Sequence, residues 1–134
     1  GDGVDRNIQE AVKWWRLAAD QGPAKAQTFL GNVYSKGEYG VPKNGKEALK
    51  WYSLAAKQGD SEAQYWLASR YAHGTDGVFQ DYVKAYVWFA IAVRNGLKKA
   101  VWERNRLGRK MDRKEIKKAL RLARECINNK YEGC

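Results

Sequence analysis

Apolar residues recur along this chain in short runs with a helical period. Ala48, Trp51, Tyr52, Ala55 and Ala56 fall at i, i+3, i+4, i+7 and i+8, which is one face of an amphipathic helix. Gly59 follows as a residue that ends a helix at little cost, and Asp60 or Ser61 stands ready to cap the next one. Ala63, Leu67, Ala68 and Tyr71 then repeat the pattern up to Gly74. The whole signature is copied along the chain: Trp14, Trp51 and Trp88 are each 37 residues apart, as are Ala11, Ala48 and Ala85, then Gly22, Gly59 and Gly96, and Ala26, Ala63 and Ala100. Leu30 and Leu67, Tyr34 and Tyr71, Gly37 and Gly74, and the pairs Gly3-Val4, Gly40-Val41 and Gly77-Val78 keep the same spacing. A period held in register at so many positions identifies a repeat array, in which each unit buries its apolar face against its neighbour.

Each period predicts a helical hairpin followed by a Gly-rich loop. Helices are expected near 7–20, 24–36, 45–57, 61–72, 82–95, 97–109 and 113–127. The last opens with Asp112 and Glu115, the spacing of a capping box, and its apolar residues Ile116, Ala119, Leu120, Ala123 and Ile127 form one stripe. The expected fold class is all-α: an α-solenoid of antiparallel helix hairpins with about seven helices and a C-terminal capping helix. Residues 1–110 read as the array, its first unit truncated and its last degenerate, and residues 111–134 as the capping helix and tail. The opening Gly-Asp-Gly-Val has no initiator Met and matches the loop ends at Gly37 to Val41 and Gly74 to Val78. The sequence is therefore expected to start inside a repeat, with a first helix that exposes a face meant for a neighbour.

The Trp-Tyr pair at 51–52 poses a choice between a ligand platform and packing material. Adjacent helical residues point about 100° apart, so each ring starts its own stripe, with Ala55 and Ala56 one turn behind. The pairing of large with small residues recurs at Trp14/Ala18, Trp15/Ala19, Trp88/Ala92 and Phe89/Val93. A seam needs such copying at every unit, and a binding platform does not.

The residues Ala26, Leu30, Gly31, Tyr34, Gly37, Gly40, Val41, Ala48, Trp51, Tyr52, Ala55, Ala56, Gly59 and Ala63 make up a pattern that resembles the Sel-one-like repeat (SLR) family, relatives of the tetratricopeptide repeats. The resemblance runs from about residue 3 to residue 100. Arg104 departs from it, standing where Leu30 and Leu67 stood, so the helix after residue 97 reads as a boundary element. The resemblance implies a non-catalytic scaffold, adaptor or inhibitor that holds a protein or peptide, with no cofactor, and for bacterial members a place in the cell envelope. It also implies a concave groove lined by the first helix of each hairpin. Aligning the leucines of the two folds places Lys25, Thr28, Asn32, Lys36, Glu62, Tyr65, Ser69 and His73 there, continued by Trp102 and Arg106. These positions vary from repeat to repeat while the core positions stay constant. Tyr65 and Trp102 are the expected anchors, since aromatic side chains carry much of interface energy.

Charge changes this picture only at one end. The 134 residues carry a net charge of +10, with Lys and Arg against Asp and Glu at 12 to 10 in residues 1–96 and 13 to 5 in residues 97–134. The repeats are nearly neutral, so a nucleic-acid partner is a poor fit. The basic excess lies on the last helix, at Arg113, Lys114, Lys117, Lys118, Arg121 and Arg124. The plain reading is a solvated face; the alternative function is attraction to an acidic polymer or an anionic membrane surface. No run reaches the roughly 18 apolar residues of a membrane span, and a monomer is favoured.

Candidate chemistry is sparse. His73 is the one histidine, followed by Gly74 and with Asp76 as the nearest acid; the expected role is a surface cap, and no catalytic residue is assigned. Two cysteines and one histidine do not complete a metal site. Cys126 at the helix end and Cys134 beyond Asn128-Asn129 suit a disulfide, which favours the periplasm or secretion; the alternative is two free thiols in a cytoplasmic protein.

Overall fold

The computed structural model describes residues 2–134, with side chains described for Asn7 and from Gln9 onward. Among the described residues the chain forms seven helices and no strand: α1 Asp2–Asp20, α2 Ala24–Lys36, α3 Gly45–Lys57, α4 Ser61–His73, α5 Tyr82–Arg94, α6 Lys99–Gly108 and α7 Arg113–Asn128. Helix α2 pairs with α3 and α4 with α5 as hairpins, α1 packs on α2 and α3 on α4 between units, and both α6 and α7 pack on α5. The fold is an all-α solenoid.

Local chemistry repeats with the sequence. Gly37 and Gly74 end α2 and α4 in the left-handed conformation, each N–H donating back to Val33 or Arg70. The loops then close identically, Asn44 N donating to Tyr34 O at 2.9 Å and Asp81 N to Tyr71 O at 2.8 Å. Asn44 and Asp81 cap α3 and α5, accepting from Glu47 N and Lys84 N. Asp112 and Glu115 complete the capping box of α7. Pro23 stands at the N-cap of α2 with no side-chain cap.

The two inner aromatic pairs are core: Trp51, Tyr52, Trp88 and Phe89 are each no more than 2% exposed, over fully buried Ala55, Ala56 and Ala92. Contact is close enough that a Cβ on Gly31 would meet the Tyr52 ring at 2.6 Å. A buried polar ladder runs beside them. Gln27 donates to Ala19 O and Gln64 to Ala56 O, and their own carbonyls accept from Gln58 and Asn95, the C-cap residues of α3 and α5. Arg70 breaks the register, occupying the position of Val33 and Leu107. Its buried guanidinium lies over the Tyr52 ring, donates to Ser35 and pairs with Asp76 at 3.2 Å.

Two expectations are corrected. The loop expected at Gly3-Val4 is helical, because α1 begins at Asp2; Asn7, in register with the caps Asn44 and Asp81, lies inside it. What holds the other two loops out of helix is the tie to a preceding helix, and α1 shows no such tie among the described residues. The Gly1 end of that loop lies outside the described residues. Leu120 is not in the buried stripe of α7, which runs through Ala119, Ala123 and Cys126 with Ile116, Leu122 and Ile127 at its edges; Leu120 faces outward. Helix α6 ends at Gly108 and buries only Ala100 and Leu107, consistent with Arg104 in place of a core leucine. Trp14 is 69% exposed, where its counterparts Trp51 and Trp88 are buried.

Candidate functional site

The expected groove positions separate into two sets. Four of them, Tyr65, Ser69 and His73 of α4 and Arg106 of α6, line one open cleft of about 340 Å³. Its floor is Phe89 and Leu107, and its remaining walls are Ala72, Gln80, Tyr82, Glu103 and Lys110. Tyr65 is held rigid: its ring meets Trp66 at 4.9 Å and Phe89 at 5.6 Å edge to face, and Lys99 Nζ lies 4.8 Å from its centroid. Burial, then the nearby Glu103 carboxylate, raises the Tyr65 pKa, so the phenol stays an O–H donor. Glu62 is fastened to Lys99 at 3.0 Å, joining the first turns of α4 and α6 above the cleft.

The other set is engaged elsewhere. Thr28 is buried, its hydroxyl donating to Asp60 at 2.7 Å, so it belongs to the seam between α2 and α4 and not to a binding surface. Lys25 pairs with the other oxygen of Asp60 at 3.1 Å. Asn32 accepts from the buried Tyr52 hydroxyl at 2.6 Å, and Lys36 lies 3.9 Å from Glu38. Trp102 is 77% exposed on α6 and does not line the cleft.

Sequence reasoning missed Lys99, Glu103, Lys110, Gln80 in the loop before α5, and the α5 contributions Tyr82 and Phe89. Two of these had a signal. Lys110 stands 37 residues after His73 as His73 does after Lys36, and Lys99 follows Glu62 and Lys25 at the same interval. The α5 residues had none, because they come from the helix behind the groove and reach it only through packing.

His73 Nδ1 donates to the Ser69 carbonyl at 2.9 Å, and the nearby Asp76 is paired with Arg70. No group of three His, Cys, Asp or Glu side chains among the described residues has the arrangement of a metal site, and no helix is long and apolar enough to cross a membrane.

At the other end, Lys114 is exposed on α7, and Lys117, Lys118, Arg121 and Arg124 surround the exposed Leu120; Arg121 also pairs with Glu125 at 3.3 Å. Cys126 and Cys134 form a disulfide with Cα atoms 5.8 Å apart. The bridge folds the tail so that Tyr131 stacks on Trp88, accepts a hydrogen bond from Asn95 and covers Gly59.

The family model for the Sel1 repeat matches residues 1–23, 24–60 and 61–97, the last two being the α2–α3 and α4–α5 hairpins. A crystal structure of a protective antigen present in uropathogenic Escherichia coli strains, displaying an SLR fold, is 33% identical with a TM-score of 0.83, covering 96% of this chain and 28% of its own. A Sel1 repeat protein from Oxalobacter formigenes is 34% identical with a TM-score of 0.65, covering 88% of this chain and 50% of its own. The chain thus spans half or less of the length of either. No curated protein sequence matches it.

Proposed function

This chain belongs to the Sel1 repeat family, whose modules generally mediate protein–protein contact without catalysis, and from that premise we propose that it is a binding module, acting as adaptor or inhibitor, that seats a segment of another protein between α4 and α6. The observation that carries this is the cleft itself. Variable side chains, Tyr65, Ser69, His73 and Arg106, converge there on a scaffold whose core positions are repeated. Tyr65 supports the role of anchor, being a large ring pre-set by Trp66, Phe89 and Lys99, so that little side-chain freedom is lost on binding. The disulfide suits an oxidising compartment, and the reading places the protein in the bacterial envelope or outside the cell.

A second reading rests on α7, where Leu120 stands exposed among four cations. That surface suits an acidic polymer or an anionic membrane. Affinity capture separates the two. Tyr65→Ala with Arg106→Ala is expected to lower partner recovery at least about tenfold, while charge reversal at Lys117, Lys118 and Arg121 leaves it unchanged. The opposite pattern rejects the cleft in favour of α7.

A further inference from the structure

The charges that line the cleft are unequal in how far they are already satisfied. Of the acids, Glu62 lies outside the lining and is fastened to Lys99 at 3.0 Å, and Glu103, in the wall, is half-buried with Arg106 3.9 Å away. On the basic side, Arg106 keeps 68% of its side chain exposed, its one ion pair at the outer limit of contact. Lys110 is exposed and makes no ion pair among the described residues. Lys99, the third cation nearby, is not free: it holds Glu62 and lies over the rings of Tyr65 and Trp66. Two cations of the cleft wall, Arg106 and Lys110, therefore face one acid, Glu103, whose one ion pair is that same 3.9 Å contact, and the wall keeps a net positive charge.

A bland explanation covers half of this. Lysines near a helix C-terminus complement the helix dipole, and Lys36, His73 and Lys110 share that register at the ends of α2, α4 and α6. It does not cover the conjunction with Arg106 and an apolar floor of Phe89 and Leu107 in one cleft. Charged and apolar groups meet in this way where a ligand offers both.

We infer that the cleft recognises an acidic segment of a partner chain, its carboxylates on Arg106 and Lys110 and one apolar side chain against Phe89 and Leu107. The inference rests on the binding reading above and adds the chemistry of what is bound. A cleft of about 340 Å³ has room for a few side chains, which suits a segment and not a folded face.

The test uses three short fluorescein-labelled peptides around a central leucine, built of glutamates, glutamines or lysines, titrated into the full chain and followed by anisotropy. The glutamate peptide is expected to bind roughly tenfold more tightly than the glutamine peptide, and to weaken as salt is raised. Arg106→Glu with Lys110→Glu reverses the preference toward lysine. Lys117→Glu with Lys118→Glu on α7 leaves it intact. Both cleft residues are exposed, so the fold tolerates the changes; circular dichroism checks this, and Arg106→Gln with Lys110→Gln, expected to abolish the preference, serves if the reversal does not fold.

Several results overturn the inference: equal binding of the glutamate and glutamine peptides, a preference that survives the cleft reversal or disappears with the α7 reversal, or displacement by free glutamate at matched carboxylate concentration. None of them bears on partner capture through Tyr65, so the broader reading stands or falls by its own experiment.

Discussion

Tyr52 shows how a repeated residue is put to structural use. Its ring touches Gly31, its hydroxyl donates to Asn32, and the Arg70 guanidinium lies 4.9 Å from the ring centroid. Burial, partly offset by the Arg70 charge, pushes its pKa up to about 12 from 10.0. Because the folded value lies above the unfolded one, the contribution to stability is complete below pH 10 and is lost as pH rises toward 12. Denaturation measured across that window should show roughly 2–3 kcal/mol of alkaline loss that Tyr52→Phe lacks. Equal alkaline slopes for the two proteins would contradict the burial argument. Asn32 illustrates the limit of a sequence reading at this scale: it was legible as a polar residue on the first helix of a hairpin, but not as the acceptor for a phenol 20 residues away.

Among the elements, the C-terminal helix carries the clearest dependence on a covalent link. The stripe on α7 is legible from Asp112 to Ile127, and the capping box at its start forms as expected. The misplacement of Leu120 has a plain cause. Helix α7 docks on α5, so the stripe is drawn by the direction of α5 and includes Leu122 and Cys126. Beyond it, the disulfide closes a ring over a separation of eight residues and brings Tyr131 onto Trp88. Reduction is expected to lower stability by roughly 2.5 kcal/mol on the loop-entropy model. It should also speed hydrogen exchange at the Tyr131 N–H, which donates to Cys126 O at 2.8 Å. If exchange there is unchanged after reduction, the tail is held by Tyr131 alone.

The whole molecule is a one-dimensional stack, and its first member shows what each unit requires. Trp51 and Trp88 are covered within hairpins whose other helices are α2 and α4; the same face of α1 leaves Trp14 exposed. Joining a copy of residues 24–37 directly ahead of Gly1 completes one 37-residue period in register. That addition should bury Trp14, shift tryptophan emission to the blue, restart α1 after Asn7 and add about 2–3 kcal/mol. The same graft with arginine in place of Leu30 should do none of these. A blue shift with both grafts would mean that any apolar cover suffices.

Read alone, the sequence determined the period, the helices, the capping box of α7 and the inner aromatic pairs of the seam, because each depends on residues one turn or one repeat apart; which helices pair across the Gly-rich loops it did not. It also favoured the cysteine pairing over two free thiols, since a helix end and a short tail can bring the two sulfurs within reach, and the structure closes that bridge. What only the tertiary structure decided is which exposed positions share a surface. Tyr65, Ser69, His73 and Arg106 meet Gln80, Tyr82 and Phe89 through the packing of α4, α5 and α6, while Thr28 at an equivalent register is drawn into a seam by Asp60. Register says which way a residue faces along its own helix; only the approach of the neighbouring helices says what it faces.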